Sequence, residues 1–115
     1  MPKRILVADD DPAMLKVYER LLARLDHSVE KAATFAEAAA LIAERDFDLL
    51  ITDLMFPDGL GTDLIESLNK KRAGAQSLLV TGSVRELPPE KRPSSYFEKP
   101  FDVNSFMAAV AAALE

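Results

Sequence analysis

The sequence lacks cysteine, long apolar runs and an excess of basic residues, and each absence excludes a class of protein. With no cysteine among 115 residues, disulfides and thiolate metal sites are excluded, and a reducing compartment is the expected setting. No apolar run approaches the roughly 20 residues that a membrane-spanning helix needs. The net charge of -5 offers no basic face for nucleic acid. We therefore expect no direct binding to membrane or nucleic acid.

The composition is that of a globular domain, with 49% apolar and 29% charged residues. The length favours a single domain over 1–115, large enough to bury a core. The first residues, MPKRILVADD, lead into a predicted strand without the pattern of a signal peptide. We expect a cytoplasmic location.

Short apolar runs recur along the chain and predict the strands of a parallel sheet. Runs of this length without alternation suit strands that are covered on both faces. They lie at 5–8, 49–51, 78–80 and, more weakly, 96–97, with a mixed, edge-like candidate at 28–32.

Segments with the periodicity of a helix lie between these runs. Pro12 is well placed as the first residue of a helix, and Thr34 with Glu37 forms a capping box that opens a second helix to about residue 45. Further helices are predicted at about 62–71 and 103–114. The predicted apolar face of the first helix consists of Met14, Val17, Leu21, Leu22 and Leu25.

The alternation of strands and helices predicts an α/β fold, a doubly wound five-stranded parallel sheet of the flavodoxin-like type with strand order 2-1-3-4-5. One segment departs from it. Pro88, Pro89 and Pro93 fall where the fourth helix belongs, and proline breaks or shortens a helix. We expect a shortened or irregular fourth helix.

Polar residues follow four of the predicted strands. Asp9 and Asp10 come after the first strand, Asp53 after the third, Thr81 at the end of the fourth and Lys99 after the fifth. Because ligands of open α/β sheets bind beyond the carboxyl ends of the strands, these residues are expected to share one crevice. In isolation each has an ordinary explanation as a helix cap, turn or surface residue; the co-occurrence favours a site.

The residue types suggest the chemistry of this crevice. Adjacent carboxylates repel one another unless positive charge lies between them, and an all-oxygen acidic set suits Mg²⁺. A carboxylate beside such a cation can attack a phosphoryl group, while Lys99 and Thr81 would bind further phosphoryl oxygens. We assign Asp11 to capping of the first helix or to the solvated rim of the crevice, and not to the metal.

The motifs ILVADD, TDLMFPDGLG, LLVTGS and YFEKPF, in this order, resemble the receiver domain of two-component response regulators over residues 4–114. The resemblance implies the receiver fold and a signalling role. Asp53 would accept a phosphoryl group from a sensor histidine kinase or a histidine phosphotransfer protein. The domain would catalyse only its own phosphorylation and dephosphorylation.

The resemblance also implies roles for the individual residues. Asp10 and Asp53 would bind Mg²⁺ directly, Asp9 would help largely through water, and the backbone carbonyl of Met55 would complete the protein ligands. Phosphorylation would draw the hydroxyl of Thr81 inward and let the switch aromatic, Tyr96, turn inward.

The resemblance has two further implications, one for the lifetime of the phosphoryl group and one for a peptide bond. Met55 and Ser83 would tune the lifetime of the phosphoryl group. The Lys99–Pro100 bond is expected to be cis.

Three alternatives remain at this stage. A receiver fold could act as a phosphorylation-independent interaction module. A haloacid-dehalogenase-like phosphatase would use Asp9 and Asp11 but would want threonine where Ala13 stands. A nucleotide-binding flavodoxin-like protein would need a phosphate loop rich in glycine, serine or threonine after the first strand, where this chain has three aspartates.

Overall fold

The computed structural model describes residues 2–82, 88–91 and 96–115. Most elements begin and end within a residue or two of the predicted ones, because caps such as Asp11 and Thr34 stand where the helices start. The first helix is an exception, since it ends at Leu22 and Leu25 of its predicted face lies beyond it. In chain order the elements are β1 (Arg4–Ala8), α1 (Pro12–Leu22), β2 (Ser28–Ala32), α2 (Phe35–Glu44), β3 (Leu49–Thr52), β4 (Met55–Phe56), β5 (Gly59–Leu60), α3 (Gly61–Lys71), β6 (Gln76–Thr81), a 3₁₀ helix (Pro89–Lys91), β7 (Phe97–Glu98) and α4 (Val103–Ala113).

Five parallel strands form the main sheet in the order β2-β1-β3-β6-β7. This order is the predicted 2-1-3-4-5, because β4 and β5 pair only with each other in a separate antiparallel ribbon. The ribbon was not predicted, since strands of two residues are too short to show a period. At the centre of the sheet, Ile5 of β1 lies in register between Val29 of β2 and Leu49 of β3.

The side chains of β1 divide the interior into two cores. Ile5 and Val7 pack with α1 and α4, whereas Leu6 and Ala8 pack with α2 and α3. Successive residues of a strand point to opposite faces, so an unbroken apolar run is what a strand covered on both faces requires. Among the described residues, no helix combines the length and the apolar character needed to cross a membrane.

The predicted apolar face of α1 was partly wrong. Val17 is 40% exposed, while Leu15 and Tyr18, which were not predicted to be buried, face the core. The stripe that docks is therefore rotated around the helix from the predicted one. The reason lies in α4 and the segment before it, where Phe101 and Phe106 receive the Tyr18 ring at centroid distances of 6.3 and 5.8 Å.

The prediction of a shortened or irregular fourth helix falls largely on residues 83–87 and 92–95, which lie outside the described residues. In the described part of this segment, Pro89–Lys91 forms a single 3₁₀ turn. Proline is tolerated at the start of such a turn because the N–H that it lacks would have no partner within the turn.

The hydroxyl of Tyr18 is buried without a hydrogen-bond partner in the part of the chain that the structure describes. An unsatisfied buried hydroxyl destabilises a fold, so we expect Tyr18→Phe to raise the free energy of unfolding by about 1 kcal/mol. Urea denaturation at neutral pH measures the change. The same substitution at Tyr96, which is half-buried, serves as the control and should alter stability less. A loss of stability in Tyr18→Phe would contradict the prediction.

Candidate functional site

The carboxyl ends of four parallel strands meet at one edge of the sheet and bring the predicted residues together. The amide of Asp53 donates to the carbonyl of Ala8 at 2.9 Å, which holds the end of β3 beside the end of β1. The amide of Lys99 donates to the carbonyl of Thr81 at 3.0 Å and joins β7 to β6 in the same way. Backbone pairing therefore positions these side chains.

Asp9 is fully buried at this edge. One carboxylate oxygen, Oδ1, accepts the amide of Asp11 at 2.9 Å, and the other, Oδ2, accepts the ammonium of Lys99 at 2.7 Å. Burial raises the pKa of Asp9 above its ordinary value, and the hydrogen bonds from Lys99 and Asp11 oppose that rise. The hydrogen bonds from Lys99 and Asp11 thus favour the charged form of Asp9, which burial disfavours.

Asp53 is held from two sides. Its Oδ1 accepts the amide of Leu54 at 2.7 Å, and its Oδ2 lies 3.4 Å from Nζ of Lys99. The hydroxyl of Thr52 donates to the Asp53 carbonyl at 2.8 Å. The contributions of Thr52 and of the Leu54 amide were not predicted, because a backbone contact leaves no motif in the sequence.

The ammonium of Lys99 bridges the two buried carboxylates, Asp9 and Asp53. Burial alone would lower the pKa of Lys99, but its hydrogen bond to Asp9 and the negative charges of Asp53 and Asp9 together raise it. Lys99 is therefore protonated at neutral pH. It supplies positive charge between the carboxylates, a role that the sequence had suggested for Mg²⁺.

Asp9, Asp10 and Asp53 form a cluster that fits a divalent metal ion. A carboxylate oxygen from each lies within 4.8 Å of the others, and hard oxygen donors of this kind suit Mg²⁺. Asp10 is exposed while the other two are buried, so a metal ion bound here would have Asp10 on its solvent-facing side. Met55, whose carbonyl was predicted as a further ligand, is half-buried at the start of β4.

The predicted switch residues lie on the neighbouring strands. Thr81 is fully buried at the end of β6, and Tyr96, just before β7, is half-buried against Leu54 and Leu79. The inward turn of Tyr96 stays a prediction. Ser83 lies outside the described residues.

Two smaller predictions at this edge are confirmed. Asp11 caps α1, since its carboxylate accepts the amide of Ala13 at 2.9 Å. The Lys99–Pro100 peptide bond is cis.

Gly61 was missed as a residue that the site depends on. A Cβ atom at this position would collide with the backbone carbonyl of Asp53 and crowd the hydroxyl of Thr52. Only glycine allows α3 to begin this close to the end of β3. The motif DGLG could have drawn attention to Gly61, but the reason for a glycine there is a contact made in the folded chain.

Replacing Gly61 with alanine should therefore displace the backbone at Asp53 and lower the free energy of unfolding by about 2 kcal/mol. Gly74→Ala is the matched control, because a Cβ at Gly74 would meet nothing within 4 Å. Urea denaturation of both variants measures the difference. Equal stability of the two variants would show that the Gly61 contact is unimportant.

Replacing Lys99 with methionine should leave Asp9 and Asp53 buried without their common cation, at a cost of about 2 kcal/mol near neutral pH. Without Lys99 the pKa of Asp9 should rise further. A raised carboxyl pKa means that the folded state binds the proton more tightly, so the cost applies above the folded pKa and fades as the pH falls toward the unfolded value.

The measurement is urea denaturation without divalent cations at about pH 7 and about pH 4. Lys99→Met should be destabilised more at the higher pH. The control is Lys70→Met, which removes an exposed pair with Glu66 and should change stability little at either pH. A pH-independent loss in Lys99→Met would show that the lost ammonium is not the cause.

Comparison with known proteins assigns the chain to a family. A sequence model described as the response regulator receiver domain matches residues 5–111. The DNA-binding transcriptional regulator NtrC of Azospirillum brasilense is 37% identical over 117 residues, which cover 96% of this chain and 24% of that protein. The response regulator protein PilR of Pseudomonas aeruginosa is 28% identical over 116 residues, which cover 97% of this chain and 26% of that protein.

The chain thus spans about a quarter of the length of these two relatives. Among solved structures, a CheY-like response regulator receiver domain protein from Methanospirillum hungatei JF-1 superposes with a TM-score of 0.86 at 31% identity, covering 99% of this chain and 94% of that one. The sequence match, the superposition of the fold and the acidic cluster at the edge of the sheet all indicate the same family. The chain belongs to the response regulator receiver domain family.

Proposed function

We propose that Asp53 accepts a phosphoryl group from a phosphohistidine, carried by a sensor histidine kinase or a histidine phosphotransfer protein. The observation that supports this proposal best is the shared ammonium of Lys99, which lies 2.7 Å from Asp9 and 3.4 Å from Asp53. Two buried carboxylates share one lysine at the strand ends, and the longer of the two lysine contacts, with Asp53, is the one that an anion bound there would replace.

The transfer forms one bond and breaks one. A carboxylate oxygen of Asp53 bonds to phosphorus as the bond between phosphorus and the histidine nitrogen breaks, and the imidazole leaves with the electron pair and takes a proton. The product is an acyl phosphate. The amide of Leu54, which holds Oδ1 at 2.7 Å, orients the Asp53 carboxylate for in-line attack, and positioning is the main requirement of phosphoryl transfer.

The neighbouring side chains bind the incoming group. Lys99 donates a hydrogen bond to a phosphoryl oxygen while it keeps its shorter contact with Asp9. The hydroxyl of Thr81, at the end of the adjacent strand, reaches another phosphoryl oxygen. The phosphorylated state then favours an inward Tyr96, which alters the surface near β6 and β7.

Mg²⁺ fits the donor set of the site, and the proposed ligands are Asp10, Asp53, the carbonyl of Met55 and, largely through water, Asp9. A bound Mg²⁺ supplies charge neutralisation for the transferred phosphoryl group. The buried position of Asp9 beside Lys99 keeps that carboxylate from moving. The domain acts on no separate substrate: it catalyses only its own phosphorylation and dephosphorylation.

Asp53→Asn tests the proposal, because an amide cannot form the acyl phosphate. We expect the wild type to gain one phosphoryl adduct by intact-mass measurement after incubation with a small-molecule acyl phosphate and Mg²⁺, and Asp53→Asn to gain none. Chelation of Mg²⁺ should suppress the wild-type adduct.

The matched control is Asp63→Asn, an exposed aspartate in the first turn of α3, which should be labelled like the wild type. Labelling of Asp53→Asn at wild-type yield would overturn the assignment. Absence of any adduct in the wild type, with a known receiver domain labelled in parallel, would favour a phosphorylation-independent interaction module.

A further inference from the structure

The turn of the β4–β5 ribbon is attached to the first turn of α2. The carboxylate of Asp58 accepts two backbone amides there, with Oδ1 3.1 Å from the Phe35 nitrogen and Oδ2 3.1 Å from the Ala36 nitrogen. Asp58 is 23 and 22 residues away from these partners in the chain. A carboxylate at a helix N-terminus is stabilised by the free amides and by the helix dipole.

A second contact fixes the same turn. The ring of Phe35 lies so close to Gly59 that a Cβ atom added there would come within 2.5 Å of it. The aromatic ring therefore covers the backbone of the ribbon beside the residue that makes the two hydrogen bonds. A polar and an apolar contact, next to each other in the chain, join ribbon and helix.

The α2 helix has a cap of its own. Thr34 accepts the amide of Glu37 at 3.0 Å, and the Glu37 carboxylate accepts the amide of Ala33 at 2.9 Å. Asp58 accepts the amides of Phe35 and Ala36, which Thr34 and Glu37 do not bind. Its contact is thus an additional link between two elements, and we name it the Asp58 latch: the carboxylate of Asp58 bound to the amides of Phe35 and Ala36.

The ribbon carries the predicted metal-binding carbonyl. Met55 pairs with Leu60, and the amide of Gly61 donates to the carbonyl of Leu54 at 2.7 Å at the base of the ribbon. Two strands of two residues do not form a stable hairpin alone, so the tip needs support from elsewhere. The Asp58 latch provides that support.

We propose that Asp58 is a positioning residue for the metal site: the latch holds the ribbon so that the carbonyl of Met55 faces the carboxylates of Asp10 and Asp53. This inference rests on the proposed function. Residues that orient metal ligands without touching the metal commonly change affinity by one to two orders of magnitude when they are removed.

The test is Mg²⁺ affinity, measured by titrating ¹⁵N-labelled protein with MgCl₂ and following the amide shifts of Asp53 and Leu54. We expect Asp58→Ala to weaken Mg²⁺ binding about tenfold and to speed hydrogen exchange of the Phe35 and Ala36 amides. Its rate of phosphorylation should recover at saturating Mg²⁺. Asp58→Asn, which keeps one acceptor oxygen, should give an intermediate affinity and guards against misfolding of the alanine variant.

Thr34→Ala is the matched control, since it removes the local cap of the same helix and leaves the Asp58 latch in place. It should lower the thermal stability and keep Mg²⁺ affinity within about twofold of the wild type, because no ligand is displaced. Wild-type Mg²⁺ affinity in Asp58→Ala would overturn the inference. So would equal weakening by Thr34→Ala, which would make the effect one of helix stability.

The outcomes for this inference and for the proposed function are separable. A wild type that binds Mg²⁺ but gains no phosphoryl adduct would overturn the phosphoacceptor role, while weaker Mg²⁺ binding in Asp58→Ala would still support the latch. A wild type that is phosphorylated, with unchanged Mg²⁺ binding in Asp58→Ala, would overturn the latch alone.

Discussion

Lys99 places one ammonium between two buried carboxylates, and the balance of charge at the strand ends depends on this contact. Burial raises the pKa of Asp9, and the hydrogen bond from Lys99 opposes that rise. Such a pair adds little net stability, because the cost of removing the charges from water offsets their attraction. Its value lies in fixing two carboxylates and one ammonium at the strand ends, beside the residue that we propose as the phosphoacceptor.

The parallel sheet makes this contact possible. Asp9 follows β1 and Lys99 follows β7, 90 residues apart in the chain, yet the strand order brings both to one edge. Backbone hydrogen bonds at each strand end, from Asp53 to Ala8 and from Lys99 to Thr81, fix where the side chains start. The side chains then need to cover only a few ångströms, and short hydrogen bonds follow.

The backbone next to Asp53 is as constrained as the side chains. Gly61 lets α3 begin against the Asp53 carbonyl, and the β4–β5 ribbon between them is held at its tip by Asp58. Between Asp53 and α3 the chain is therefore fixed at both ends of a short hairpin. This geometry connects the N-terminus of α2 with the segment that carries Met55.

The fold class, the strand order and the family could be predicted from the sequence, because unbroken apolar runs and four polar motifs at strand ends are local patterns. It also identified Asp9, Asp10, Asp53, Thr81 and Lys99 as neighbours. The buried face of α1 depends on tertiary packing: the helical period allows Val17 or Tyr18 to face inward, and the Tyr18 ring packs against Phe101 and Phe106. Docking likewise decided that Gly61 must be glycine and that Asp58 binds α2, since contacts between distant segments arise only when the sheet has assembled.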